Sequence, residues 1–150
     1  MGEHSIFYYS ERCLMQSWAL GKGVVLFKVR GLQSEEFAPL ILEEGQRQLT
    51  QFNRVVYFVD ARESRQMTTE FREQMTAWFA AHKEVATVHM LLHSKLLEMA
   101  LNLANLATGT ATARAYANLA SWEAAGQKQV LGFSARDLTV PEDLRQEQLG

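Results

Sequence analysis

Residues 54–61, RVVYFVDA, constrain the fold of this chain more than any other stretch. The run is short, β-branched and continuously apolar, the pattern of a strand covered on both faces. Segments with a helical period bracket it. Upstream, SEEFAPLILEEGQRQLTQF repeats Phe37, Leu40, Ile41, Leu49 and Phe52 at intervals near three or four residues. Downstream, TTEFREQMTAWFAAHK sets Phe71, Met75, Trp78 and Phe79 on one face and ends in His82 and Lys83. A buried strand between two amphipathic helices implies right-handed crossovers and parallel neighbours.

The flanks extend the pattern. The first 31 residues hold three strand-like runs, SIFYYSE, LMQSWAL and VVLFKVRG, the last two joined by Gly21-Lys22-Gly23, which suits a tight hairpin. Ser34 is placed to cap the first helix, with Pro39 early enough to do little harm. After the second helix, EVATVHMLLH reads as a strand. SKLLEMALNLANLATG reads as a helix capped by Ser94 and stopped at Gly109. ARAYANL and ASWEAA give a last strand and a short helix. The order is β-β-β-α-β-α-β-α-β-α. It predicts one α/β domain with a mixed sheet, antiparallel in its N-terminal hairpin and parallel at its centre, with helices packed on it. Residues 1–125 make up this domain, and residues 126–150 a partly helical C-terminal extension in which Pro141 starts a turn or two.

Composition narrows the function. At 150 residues, 47% hydrophobic and 21% charged, the chain has enough material for one real core. Its net charge of −2 lacks the basic excess of a nucleic-acid binder. The single cysteine, Cys13, rules out an internal disulfide and has no local nucleophile motif, so it reads as a small apolar strand residue. MGEHSIFYYSERC has no signal-peptide pattern. The most apolar window, residues 85–107, is interrupted by His89, His93, Lys95 and Glu98, so no membrane span is expected. The expected location is cytoplasmic.

Three stretches together resemble a known family: VVLFKVRGLQSEEFAPLI, VVYFVDARESRQMTTEFREQM and ARAYANLASWEAA. They look like the opening strand and helix, the central strand with its second helix, and the closing strand and helix of a STAS domain. The likeness covers roughly residues 24–125 and is nearest to the anti-sigma-factor-antagonist-like, CRAL-TRIO-related branch of stand-alone bacterial proteins. It implies a non-enzymatic, regulatory protein that binds partner proteins, in some members switched by phosphorylation of a hydroxyl at the start of the second helix. Asp60 matches the acid that closes the family's central strand. Thr68 falls at its second acid and Thr69 at its phosphoacceptor serine. The family's Asp-Ser-Ser-Gly run is replaced by Thr68-Thr69-Glu70-Phe71.

Each candidate has a second, plainer reading. Thr69 and Thr68 are candidate phosphoacceptors, since a helix N-terminus favours phosphate. They equally suit a helix cap. Asp60 sits at the carboxyl end of a central strand, where crevices form in open α/β sheets, or it caps a turn. Asp60, Arg62, Glu63 and Arg65 form a candidate partner-binding loop, or simply a solvated one. His89 and His93, four apart on a strand, would be separated by about 13 Å, too far for one zinc. No cofactor or metal motif appears, nor a nucleophile elbow or P-loop. The apolar helix Lys95–Thr108 exceeds the needs of one buried face. Its stretch from Leu96 to Leu106 suits burial within the monomer, a homodimer surface, or a wall for a hydrophobic ligand with Trp78 or Phe79. The carrier of a hydrophobic or lipid-like small molecule is the alternative to a protein-binding module.

Overall fold

A computed structural model describes residues 4–93 and 113–140. Six strands form one sheet in the order β1-β2-β3-β4-β5-β6. They are β1 (His4–Tyr9), β2 (Cys13–Gly21), β3 (Val24–Gln33), β4 (Val55–Met67), β5 (Ala86–Leu91) and β6 (Ala113–Tyr116). β1, β2 and β3 pair antiparallel, and β3 to β6 pair parallel. The expected mixed sheet is therefore present. The β2–β3 hairpin turns at Lys22 and Gly23, both at positive φ. The apolar helix expected over Lys95–Thr108 lies outside the described residues, as does Pro141.

The crossover helices α1 (Ala38–Phe52) and α2 (Thr69–Ala81) pack side by side on one face of the sheet. Two right-handed crossovers stepping the same way require this. Alternation along β4 then divides its side chains. Val55, Tyr57 and Ala61 join Phe27, Ile41, Phe71 and Phe79 on the α1/α2 face. Val56 and Phe58 join Trp18, Leu26, Trp122 and Phe133 on the other. The first core is drawn tight at Gly45, where a Cβ would strike the Tyr57 hydroxyl; that hydroxyl donates to the Ile41 carbonyl at 2.7 Å.

The second face is closed differently. A short helix, α3 (Leu119–Gln127), anchors through the Trp122 indole N–H, which donates to the His89 carbonyl at 3.0 Å. Beyond it the chain has no regular structure up to residue 140, yet it crosses the sheet. Phe133 is buried between Phe58 and Trp122. Arg136 lies over the Trp18 ring, and the Thr139 N–H donates to Gln16 Oε1 at 2.7 Å. Residues 128–140 thus act as a strap over the sheet, with Phe133 part of the core.

Two local expectations shift. α1 starts at Ala38 after a turn, and Phe37 rather than Ser34 occupies the cap position without a side-chain bond. The Ser34 hydroxyl donates to Glu36 instead. The larger change is in β4, which does not end at Asp60 but runs on to Met67.

Candidate functional site

The segment expected as a loop from Asp60 to Thr69 is strand as far as Met67, because β3 is long enough to pair with it. Lys28 stands opposite Asp60, Arg30 opposite Glu63, Leu32 opposite Gln66 and Gln33 opposite Met67. In each of the first two intervals β4 carries one residue more than β3, so it bulges twice. A bulge re-aims the residues after it. Simple alternation from Asp60 would send Glu63 to the α1/α2 face. The first bulge returns it to the side of Asp60 and Arg62, where it meets Arg30. Arg65 takes its place in the strand between Ser64 and Gln66.

The result is an ion cluster built around a buried carboxylate. Asp60 is 1% exposed and the Lys28 side chain 5%. Lys28 Nζ lies 3.1 Å from Asp60 Oδ2 and 3.0 Å from Glu63 Oε2. Arg62 grips Asp60 with a fork, Nε to Oδ1 at 2.9 Å and Nη2 to Oδ2 at 2.7 Å, and its backbone N–H adds a third bond at 3.2 Å. Burial pushes the Asp60 carboxyl up, but Arg62 and Lys28 together outweigh it and hold the group below the usual carboxylate range. Glu63 moves the same way: its partial burial is outweighed by Lys28 and Arg30. With both oxygens engaged, Asp60 is closed to a partner. It fixes Arg62 and Lys28, and the exposed parts of this region are Glu63, Gln66 and Met67.

The start of α2 lies at the far end of β4, on the order of 20 Å from Asp60 at ~3.3 Å per strand residue. Asp60 and Thr69 therefore do not share one site. Thr68 is the cap: its Oγ1 accepts from the Phe71 N–H at 3.1 Å and donates to Glu35 Oε2 at 2.8 Å. Thr69, the first residue of α2, is exposed, and so is Glu70. Met67 just before them is 41% exposed, a large apolar side chain at the tip of the ribbon. Behind this tip Ser64 is buried, accepting from Gln33 Nε2 at 3.0 Å and donating to the Gly31 carbonyl at 2.8 Å.

The other candidates are accounted for within the core. His89 stacks on Phe58 at 4.6 Å and its Nδ1 pairs with the Tyr116 hydroxyl at 2.8 Å. Burial, helped by Arg114, lowers its pKa to about 4. His93 is exposed past the strand end, and no metal-binding group of three or more side chains occurs among the described residues. Cys13 is buried, and burial, with Glu36 adding to it, raises its thiol to about 11, which keeps it protonated. Trp78 and Phe79, the rings available to a carrier pocket, both pack on Tyr57. No helix among the described residues is long and apolar enough to cross a membrane.

Sequence reasoning missed Lys28. A signal was there: Lys28 in VVLFKVRG and the one acid in VVYFVDA are each the fifth residue counted from the paired Val24 and Val56.

The chain matches no protein-family model and no curated protein. Its fold does have a solved counterpart. An uncharacterised protein of the DUF3478 family from Shewanella loihica PV-4, described as having a SpoIIAA-like fold, superposes with a TM-score of 0.52. The match covers 80% of this chain and 89% of that one at 16% identity, a likeness of fold alone. The protein is thus an α/β domain of SpoIIAA-like fold, the type that the resemblance to STAS domains implied.

Proposed function

We propose that this protein is a non-enzymatic, cytoplasmic interaction module that binds a protein partner through the β4–α2 junction. The observation that carries this reading is the exposed tip formed by Met67, Thr69 and Glu70 on a rigid base. Thr68 and Ser64 use their hydroxyls internally, whereas Thr69 is left facing solvent on the first turn of a helix. Glu63 and Arg62 extend the surface along the ribbon, with Asp60 holding it in shape from beneath.

A partner-switching role assigns Thr69 as the phosphoacceptor. A phosphate there would meet the free N–H groups of the first turn, although Glu70 beside it opposes the added charge. The test is a photo-crosslinking residue at position 67 in cells of the source organism. The reading expects one defined protein adduct that Thr69→Glu abolishes without lowering the thermal midpoint. An adduct pattern indifferent to Thr69→Glu would contradict it.

A further inference from the structure

A second polar cluster lies on the opposite face, between α1 and the β1–β2 pair, away from the β4–α2 junction. α1 turns Glu44 and Gln48 inward, one turn apart on the same side. They are 6% and 3% exposed, and Ser17 on β2 is 4% exposed. Tyr8, half-buried on β1, shares a hydrogen bond with Ser17, and its hydroxyl pKa is raised by burial first and then by the Glu44 charge. Gln48 Nε2 donates to Glu44 Oε1 at 3.2 Å. Gln48 Oε1, in the same amide, is fully enclosed and has no hydrogen-bond partner among the described residues. Flipping the amide would aim its oxygen at a carboxylate, so the orientation is set by Glu44. A buried acceptor is costly without a donor.

The groups here offer more acceptors than donors: the Glu44 carboxylate and the Gln48 carbonyl only accept, and the Tyr8 and Ser17 hydroxyls, which bond each other, leave one O–H between them. Among the described residues the one cation reaching in is Arg47, whose side chain is 49% exposed and which bonds Glu44 from the surface. Arg47 also has a second partner, Glu43, at 3.7 Å on the outer side. It can therefore leave Glu44 and still keep one ion pair. A shallow hollow lined by Glu43, Gln46, Arg47 and Thr50 opens on that outer side.

We propose that this cluster binds a primary ammonium group, R–NH3+, with Arg47 as its gate. An ammonium group brings three N–H donors and no acceptor, the complement of carboxylate, orphan carbonyl and hydroxyl. A hard metal cation would call for about six oxygen ligands, more than this cluster supplies. On binding, Arg47 swings to Glu43, and the ligand donates to Glu44, Gln48 Oε1 and Tyr8.

The test compares methylammonium chloride with tetramethylammonium chloride, which has no N–H donor, at equal ionic strength on the full chain. Methylammonium is expected to raise the thermal midpoint and to shift the Gln48 side-chain amide resonance in NMR, and tetramethylammonium to do neither. Gln48→Leu should weaken the methylammonium response about tenfold, the factor that ~1.4 kcal/mol makes. Glu44→Gln should abolish it. If either variant fails to fold, the two salts on the unmodified protein still decide. Equal responses to both salts, or none to either, would overturn the proposal and leave an ordered water as the donor to Gln48.

Discussion

β4 is one strand with two unlike halves. From Val55 to Val59 it is flanked by β3 and β5, apolar, and covered by α1 and α2 on one side and by Phe133 and Trp122 on the other. β5 stops at Leu91, opposite Asp60, so from Ala61 to Met67 the strand pairs with β3 alone among the described strands. That half is polar, twice bulged, and held by ions and hydroxyls. The first half is fixed by packing that is indifferent to sequence detail as long as volume is kept. The second is fixed by particular partners, and losing one leaves another stranded. A surface meant to be read by a partner gains from the second kind of construction, because specific polar bonds hold the tip while leaving its side chains outside.

The contrast can be broken most forcefully in its apolar half. Phe58→Ala should lower the unfolding free energy by about 3–5 kcal/mol in a denaturant titration, since it empties the contact with His89, Trp122 and Phe133. Asp60→Ala should cost about 3 kcal/mol, the low end for breaking a buried pair, because Lys28 is left with the half-exposed Glu63 alone. The pairing of Asp60→Leu with Lys28→Met should recover most of that loss, which separates a stranded charge from a missing contact.

Third in size is a pH effect on the first half. His89 has a folded pKa near 4 against 6.5. Its neutral form is favoured by folding, so the contribution is complete above about pH 6.5 and drains away as pH falls toward 4. Solvent screening of the partly exposed ring holds the effect below the full ~1.4 kcal/mol per pKa unit, to about 1–2 kcal/mol in all. Thermal midpoints at pH 7.5 and 5 should differ, and His89→Phe should shrink that difference. Asp60 and Glu63, whose carboxyls are depressed, lose their contribution only at lower pH, below the ordinary carboxylate range. The smallest effects lie at the tip. Thr68→Ala should cost about 1 kcal/mol for the lost cap. Thr69→Ala should stay within about 0.5 kcal/mol, as expected of an exposed residue outside the folding network. A large loss at Thr69 would mean that its hydroxyl is structural and not on offer.

The same division explains what was legible in the sequence. RVVYFVDA announced a central strand because burial on both faces leaves a compositional mark. The helical stripes of α1 and α2 did so through their period. ARESRQM left no such mark. Its pairing runs through backbone groups, which every residue carries alike, and its bulges erase the alternation that would betray a strand. Asp60 was visible as an acid at the end of an apolar run, but its burial depends on Lys28, 32 positions away. Thr68 was legible as a cap because capping is local. The strap reads as an extension from residue 126 because Phe133 ends a short apolar run, Val130–Phe133, that has neither a helical nor a strand period. Only the cleft between Phe58 and Trp122 makes it core.

Met67 and Thr69 are presented from a fixed base only if β4 is rigid strand to its tip. Amide hydrogen exchange of the segment 61–68 measures this directly. The expected result is protection of the amides bonded to β3, approaching that of residues 55–59, and its loss in Asp60→Ala. Exchange of the whole segment at the rate of an open loop in the unmodified protein would contradict it.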